Sequence, residues 1–302
     1  MPPLIAAIEA GGTKFNCAVG TRPGDLRRTA RIPTTTPQET LREVIAFFDT
    51  ARAEVGAFSA MGIASFGPVD LHPDSATYGY ITTTPKPHWG QTDLLGPLRE
   101  KFGVPMGFDT DVNGAALSES LWGAGQGCDP LVYLTIGTGI GGGALVNGKL
   151  LHGMLHPEMG HLQVFAGNSA APNPACQCPF HSSCLEGYVC GPAIAKRWEK
   201  PAHELGADHP AWAEAATILA QGLVNIIVTL SPQRLLLGGG VMHQEHIFPM
   251  LRREVSRLLN GYLQTTELLA QIDSYIVPPG LGDEAGILGA IALGQRALAG
   301  QG

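Results

Sequence analysis

The sequence predicts an α/β protein with two lobes around a cleft, and three observations carry that expectation. At 302 residues the chain exceeds what one hydrophobic core usually fills, since single cores stop growing near ~250–300 residues. A composition of 44% hydrophobic residues, 40 glycines and only 15% charged residues suits a compact enzyme with many tight turns and not a disordered or fibrous chain. The third observation is a pattern that recurs in each half: an apolar run, a glycine turn and a second apolar run, as LIAAIEAGGTKFNCAVG (4–20) and as LVYLTIGTGIGGGALV (131–146).

Along the first half, LIAAIEA (4–10), FNCAVG (15–20), SAMGIASFG (59–67) and VPMGFD (104–109) are short apolar runs with glycine or proline borders, and are expected as strands. TLREVIAFFDTAR (40–52) is expected as a helix between them. The stretch YGYITTTPKPHWG (78–90) fits no period and is expected as a long loop at the mouth of the cleft. A helix, VNGAALSESLWGA (112–124), follows the strand that ends at Asp109. The lobe boundary is placed there, giving a smaller lobe of residues 1–112, completed by the C-terminal helix 284–302, and a larger lobe of 113–283.

The second half opens with the strand LVYLTI, the glycines of GTGIGGG, the run ALV and the turn Asn147-Gly148. RLLLGGGV (234–241) is a buried strand entering a third glycine turn. After it, Ile247, Leu251, Val255, Leu258 and Tyr262 recur at helical spacing, as a core stripe does. EAGILGAIALGQRALA (284–299) is a helix of mostly small residues suited to close packing. The most apolar helical stretch, ILAQGLVNIIVTL (218–230), is interrupted by polar residues and is read as too short to cross a bilayer.

A net charge of −7 with no lysine or arginine cluster argues against a nucleic acid or an anionic membrane as partner and favours a small molecule. The N-terminus lacks a basic region and Glu9 interrupts its apolar stretch, so no signal peptide is expected and a cytoplasmic location is. Cys17, Cys128 and Cys190 stand singly, whereas Cys176, Cys178 and Cys184 crowd together. In a reducing compartment such a cluster points to a metal more than to disulfides.

Gly137, Gly139 and Gly142 match G-x-G-x-x-G, but a dinucleotide site needs a helix directly after the glycines. Here ALVNGKLL follows, and an Asn-Gly turn between apolar pairs signals a hairpin instead. A P-loop also fails, because GGTK lacks the required G-K-[ST] order. What remains is a pair of glycine hairpins and a third turn. Gly11, Gly12, Thr13 and Lys14 from one lobe, and Gly137, Thr138 and Gly139 from the other, are expected to grip the phosphates of ATP with backbone N–H groups and hydroxyls. Gly238, Gly239 and Gly240 are expected under the adenosine.

In FDTDVNG, Asp109 and Asp111 stand where a strand gives way to a helix. Either is suited to capping that helix, or to accepting the proton of a hydroxyl that attacks a phosphate. Further on, His161, Cys178, His181 and Cys184 offer two imidazoles and two thiolates, a tetrahedral set typical of structural zinc. Cys176 stands as a spare for His181.

With these motifs together, the chain resembles the superfamily of sugar kinases, actin and heat-shock ATPases, whose two lobes repeat one ribonuclease-H-like unit. Over essentially its whole length it resembles the ROK-family sugar kinases, and in detail their bacterial fructokinase branch. TDVN resembles the family's N-D-A-N, which implies Asp111 as catalytic base and sets Thr110 where asparagine is usual. EMGH and CLEG resemble E-x-G-H and the G-C-x-E segment, implying Glu158, His161 and Glu186 as sugar contacts together with Thr110 and Asp111. The run GPVDLHPDSATYGYITTTPKPHW resembles the same branch and brings Gly67 into that set. Two departures stand out: Glu9 replaces the usual aspartate of D-x-G-G-T near magnesium, and Cys178 and Cys184 are one residue further apart than in C-x-C-G-x-x-G-C, with His181 between them.

The resemblance implies ATP with magnesium, a structural zinc, a homodimer, and phosphorylation of a hexose. D-Fructose to fructose 6-phosphate is the expected reaction, with mannose, glucose or N-acetylmannosamine as the alternatives. A sugar-sensing regulator without kinase activity is the rival of another class; its relatives carry a DNA-binding helix-turn-helix first, and here the first glycine turn begins at residue 11.

Overall fold

The computed structural model describes residues 2–167 and 169–300. In chain order the elements are β1 (Ile5–Ala10), β2 (Lys14–Arg22), β3 (Asp25–Pro33), α1 (Pro37–Val55), β4 (Ala60–Ser65), β5 (Tyr80–Ile81), β6 (Thr92–Asp93), α2 (Leu95–Phe102), β7 (Met106–Thr110) and α3 (Asp111–Trp122). They continue with β8 (Leu131–Ile136), β9 (Ile140–Val146), β10 (Lys149–Leu150), α4 (Leu185–Val189), α5 (Gly191–Trp198), α6 (Pro210–Leu230), β11 (Arg234–Gly238), α7 (Ile247–Leu259), α8 (Thr266–Leu269), α9 (Ile272–Tyr275), β12 (Ile276–Val277) and α10 (Ala285–Leu298). Two units form. One holds the chain up to Gly123, the segment Leu150–Pro157 and the stretch from Glu284 onward; the other holds Ala124–Lys149 and Glu158–Asp283.

Each unit is built on a five-stranded sheet, ordered β3-β2-β1-β4-β7 in the first and β10-β9-β8-β11-β12 in the second. β1 runs antiparallel to β2 and parallel to β4, just as β8 runs antiparallel to β9 and parallel to β11. One architecture is therefore used twice, with a glycine turn after the first strand each time. The Asn147-Gly148 turn closes the next hairpin, with φ of 55° and 71°, the left-handed pair that a two-residue hairpin of this sequence adopts.

In the first unit β1 and β4 are almost wholly buried, which explains why they read as continuous apolar runs: parallel strands covered on both faces have no solvent side. Phe15, Val44, Phe48, Met61, Ile63 and Leu98 fill the core on one face. Helix α10 covers the sheet through β4, β1 and β7, and also packs on α3. Its approach is unusually close. A Cβ placed on Gly62 would overlap the carbonyl oxygen of Ala290, one on Gly107 would overlap that of Leu293, and one on Gly289 would overlap the backbone of Gly114. The small residues of α10 thus serve a backbone-to-backbone seat.

Local signals set several ends. Thr36 caps α1 by accepting from the N–H of Glu39, with Pro37 at the first helical position, where a missing N–H costs nothing. The stretch 78–90, expected as a free loop, instead contains β5 and buries Trp89 completely. The indole N–H of Trp89 donates to the Thr35 carbonyl at 2.8 Å, and its ring lies 5.3 Å from that of Phe15. Aromatic anchoring, which has no sequence period, ties this segment to the core.

In the second unit, α7 stops at Leu259, because Asn260 takes a left-handed φ of 46°. Tyr262 therefore leaves the expected core stripe and is 82% exposed. The apolar run expected to be too short for a membrane span belongs to the 21-residue α6, which is long and apolar enough by those two measures. Its buried face, with Trp212, Leu219, Leu223 and Ile226, packs with α7 and α4.

The α10 seat yields a stability prediction. Gly62→Ala forces a methyl group into backbone on the far side of a rigid interface, and should cost about 1–3 kcal/mol, the usual range for overpacking. Gly206→Ala, where a Cβ meets nothing within 4 Å, is the control. Denaturant midpoints of the two variants and the parent check this, and equal midpoints for all three would remove the close seat.

Candidate functional site

The end of β7 and the start of α3 form the most constrained polar cluster of the first unit. Asp109 is 3% exposed. Its Oδ1 accepts from the Thr110 N–H at 2.7 Å and from Asn113 Nδ2 at 2.8 Å, and its Oδ2 faces His152 Nε2 at 2.9 Å. A carboxylate is an acceptor only, so Nε2 carries the proton in that bond. The helix cap is neither aspartate: Thr110 fills that role, its Oγ1 accepting from the Asn113 N–H at 3.1 Å. Thr110 is itself buried, whereas Asp111, at the first helical position, is partly exposed. Asp111 Oδ1 accepts from the Val112 N–H at 2.9 Å.

His152 and His156 come from the segment Leu150–Pro157, which returns to the first unit. The Val69 N–H donates to His156 Nε2 at 3.1 Å, so that nitrogen must be unprotonated. Burial lowers the pKa of His156 in agreement with this. Gly67 lies against the His156 ring, where a Cβ would come to 3.2 Å. Together with Val69, Leu71 and Leu155, the two histidines line a cavity of about 210 Å³. Neither histidine was singled out from sequence. The available signal was LHGMLHPEMGH (151–161), which sets two more imidazoles four residues apart just before the glutamate and histidine already chosen.

At the first glycine turn, the Gly11 N–H donates to the Lys14 carbonyl at 2.9 Å, and the Gly11 carbonyl accepts from Thr34 Oγ1 at 2.7 Å. Gly12 has open space around it and Thr13 is exposed, so this stretch offers uncovered backbone. Glu9, two residues before Gly11, accepts from Asn16 Nδ2 at 2.7 Å. The first turn of α10 comes so near that a Cβ on Gly286 would overlap the Glu9 carboxylate.

The second unit brings its two glycine turns together. Gly137, Thr138 and Gly240 line one cavity of about 460 Å³ with Gly191, Pro192 and Val241. The Val241 N–H donates to the Ile136 carbonyl at 3.0 Å and the Gly191 N–H to that of Gly137 at 2.7 Å. Gly239 has φ of 89°, and a Cβ there would strike the backbone of Ile136 at 2.5 Å, so only glycine lets the two turns meet. Gly238 is buried in β11 beneath them.

Below the Gly137–Gly139 turn, Glu186 Oε2 accepts from the Ile140 N–H at 2.8 Å, and a Cβ on Gly139 would lie 2.7 Å from the same oxygen. The EMGH turn lies on β9, seated by Gly142 and Gly160, where side chains would overlap Met159 and the Ile140 carbonyl. Desolvation first, and then the charge of Glu186, push the carboxyl of Glu158 up to about 7 even though part of its surface stays exposed. His161, Cys178, His181 and Cys184 lie with their ligand atoms within 4.8 Å of one another. Cys178 Sγ is 3.3 Å from His181 Nδ1, and Cys184 Sγ is 3.7 Å from His161 Nδ1. Cys176 stands outside this set and packs on Gly187.

Residues 5–297 match the sequence profile of the ROK family. The chain belongs to the ROK family. A fructokinase of Pediococcus pentosaceus is 43% identical over 98% of this chain and 99% of its own length. Another, from Zymomonas mobilis, is 44% identical over 96% of each chain. Among solved structures, the ROK hexokinase of Thermus thermophilus matches with a TM-score of 0.78 and 28% identity, covering 98% of this chain and 99% of that one. The fold is accordingly the ROK sugar-kinase fold, with the duplicated sheet described above.

The His152–Asp109 pair predicts a pH dependence. The hydrogen bond that His152 donates to Asp109 raises the pKa of His152 against the opposing effect of burial. A histidine raised on folding stabilises fully below its unfolded value, about 6.5, and that part is lost as pH rises through the folded value. The destabilisation by His152→Ala should therefore be larger near about pH 6 than near about pH 9. Urea unfolding of both proteins at the two pH values checks it; an unchanged difference would show that the charge on His152 adds nothing.

Proposed function

We propose that this ROK-family chain is an ATP-dependent hexose kinase that converts D-fructose to fructose 6-phosphate. The observation that carries the reading is the contrast at the β7–α3 junction. Asp109 is buried and held by three donors, while Asp111, two residues on, is partly exposed at a helix start. A general base must reach its proton, so the role falls to Asp111. The choice of fructose rests on the relatives named fructokinase, which match nearly end to end at 43–44% identity.

In this reading Asp111 accepts the proton of a primary sugar hydroxyl as its oxygen attacks the γ-phosphorus, and ADP leaves. Glu158, Glu186, His161, Thr110 and Gly67 order the remaining hydroxyls. A wrong isomer leaves one of those groups unpaired, which is the strongest source of discrimination available to a polar site. Thr110 would contribute through its hydroxyl proton, since its Oγ1 only accepts in the α3 cap while its backbone N–H already donates to Asp109. The cavity of the second unit takes the nucleotide, with the Gly137–Gly139 turn toward the phosphates and Gly238–Gly240 under the adenosine. Gly11, Gly12, Thr13 and Lys14 belong to the same reading as donors to phosphate. Magnesium held with ATP would supply neutralisation of phosphate charge, and Glu9, whose carboxylate accepts from Asn16, would be the residue placed toward it. A cytoplasmic location and a homodimer belong to the same reading.

Zinc fits the four-residue cluster by donor chemistry, since two sulfurs and two imidazoles gathered this closely are what bonds of ~2.0–2.3 Å require. It would be held by His161, Cys178, His181 and Cys184, and would brace the loop between Glu158 and Glu186. Nδ1 of His161 faces Cys184, so Nε2 is the nitrogen left for a sugar hydroxyl, its tautomer fixed by ligation at the other.

Initial rates with magnesium-ATP across fructose, mannose, glucose and N-acetylmannosamine, compared as kcat/KM, should favour fructose. Asp111→Asn should fold and lose about 10²–10⁴ in turnover, the usual worth of a general base. A preference for another sugar overturns the fructose assignment, and normal turnover in Asp111→Asn overturns the base.

Metal analysis of the purified protein should give one zinc per chain. Cys184→Ser should lower metal content, stability and sugar affinity together. Full activity after stoichiometric removal of metal would show that no ion is needed there.

A further inference from the structure

We propose that His152 is a positioning residue for phosphoryl transfer: acting through Asp109, it fixes the first turn of α3 and with it the carboxylate of Asp111. The inference rests on the reading of Asp111 as base. Its starting point is that Asp109 has both oxygens committed on opposite sides of the residue that does the chemistry. Oδ1 holds the Thr110 N–H before Asp111 and the Asn113 side chain after it. Oδ2 is held by His152 Nε2 at 2.9 Å. Nε2 also lies 3.3 Å from Asn113 Nδ2, so two donors converge on one carboxylate and neither can replace the other.

Removing the imidazole, whose side chain is 41% exposed, takes the fixed donor from Oδ2 of a carboxylate that is 3% exposed with the ring in place. A buried charge short of a donor recruits another. Its remaining donors are the Thr110 N–H and the Asn113 side chain, so the carboxylate would rotate and draw both with it. Asp111 sits between those two residues and moves with them. A displacement on the order of 1 Å is enough to cost ~10²-fold when it separates a base from its proton. His152 does not touch the base, and its effect is geometric.

Other contacts of the same segment separate this role from a general one of holding the chain in place. His72 Nε2 bonds the Met154 carbonyl at 2.7 Å. That bond fastens the segment without reaching Asp109.

Three variants test the proposal under saturating ATP. His152→Ala should lower kcat about 10–100-fold, with the KM for sugar changing much less. His152→Gln, whose amide N–H can reach the place of Nε2, should recover most of the loss. His72→Ala should stay within about twofold of the parent if the effect runs through Asp109. An equal loss in His72→Ala, or a His152→Gln no better than His152→Ala, overturns the positioning role, as does normal kcat in His152→Ala. Asp111→Asn assayed alongside separates the two readings: if it keeps turnover, the base assignment has failed; if it loses turnover while His152→Ala does not, only this inference has. Circular dichroism and metal content of each variant exclude loss by unfolding.

Discussion

Helix α10 can lie on β4, β7 and α3 only because glycine occupies both sides of the contact, and much of the first unit depends on that closeness. Gly62 and Gly107 clear space on the sheet, and Gly289 meets Gly114 on the facing helix. Ordinary side chains would hold such elements 8–10 Å apart, axis to axis. The hydroxyl of Ser118 reinforces the seat by donating to the Ala285 carbonyl at 2.7 Å. Because α10 touches β7 and α3 together, it fixes the angle at which one passes into the other. The geometry of Asp109, Thr110 and Asp111 is therefore set by residues almost two hundred positions later in the chain.

Duplication gives the second unit the same sheet order and the same turn after its first strand, yet the two turns are finished differently. After β1, the Gly11-Gly12 turn closes on itself and leaves backbone uncovered. After β8, the Gly137–Gly139 turn is buttressed by Gly239 and by the Glu186 carboxylate, and the result is a walled cavity. Shared architecture determines where a glycine turn falls. Neighbouring residues determine what it can hold.

The strands, the three glycine turns and the zinc-type cluster were legible because each has a local signature: apolar runs, paired glycines, ligands packed into seven residues. The close helix seat was legible in part, as a C-terminal run of small residues. What escaped depended on contacts distant in sequence. Trp89 looked like loop and is core, since an indole held by Phe15 and Thr35 needs no period around it. Strand β3 is half-exposed at the sheet edge and so lacks the apolar run that marked its neighbours. Tyr262 sits at helical spacing but follows a left-handed Asn260 that ends the helix. His152 could be seen as a histidine, but nothing in LHGMLHP indicates that the segment folds back onto Asp109.

The two aspartates of FDTDVNG show how a change of period assigns chemistry. In a continuing strand, residues two apart point to the same face, so Asp109 and Asp111 would share one environment. Here β7 ends at Thr110 and α3 begins at Asp111, and each helical residue turns about 100° from the last. The switch leaves Asp109 facing inward, where burial demands that every lone pair be matched. Asp111 is carried to the rim of the same turn, where it stays partly exposed. The buried acid has its oxygens already occupied and holds the junction tight, which leaves the role proposed above to its partly exposed neighbour. A single Thr cap between them, holding the Asn113 N–H, is the point at which strand geometry becomes helix geometry and one aspartate is sealed in while its neighbour stays partly exposed.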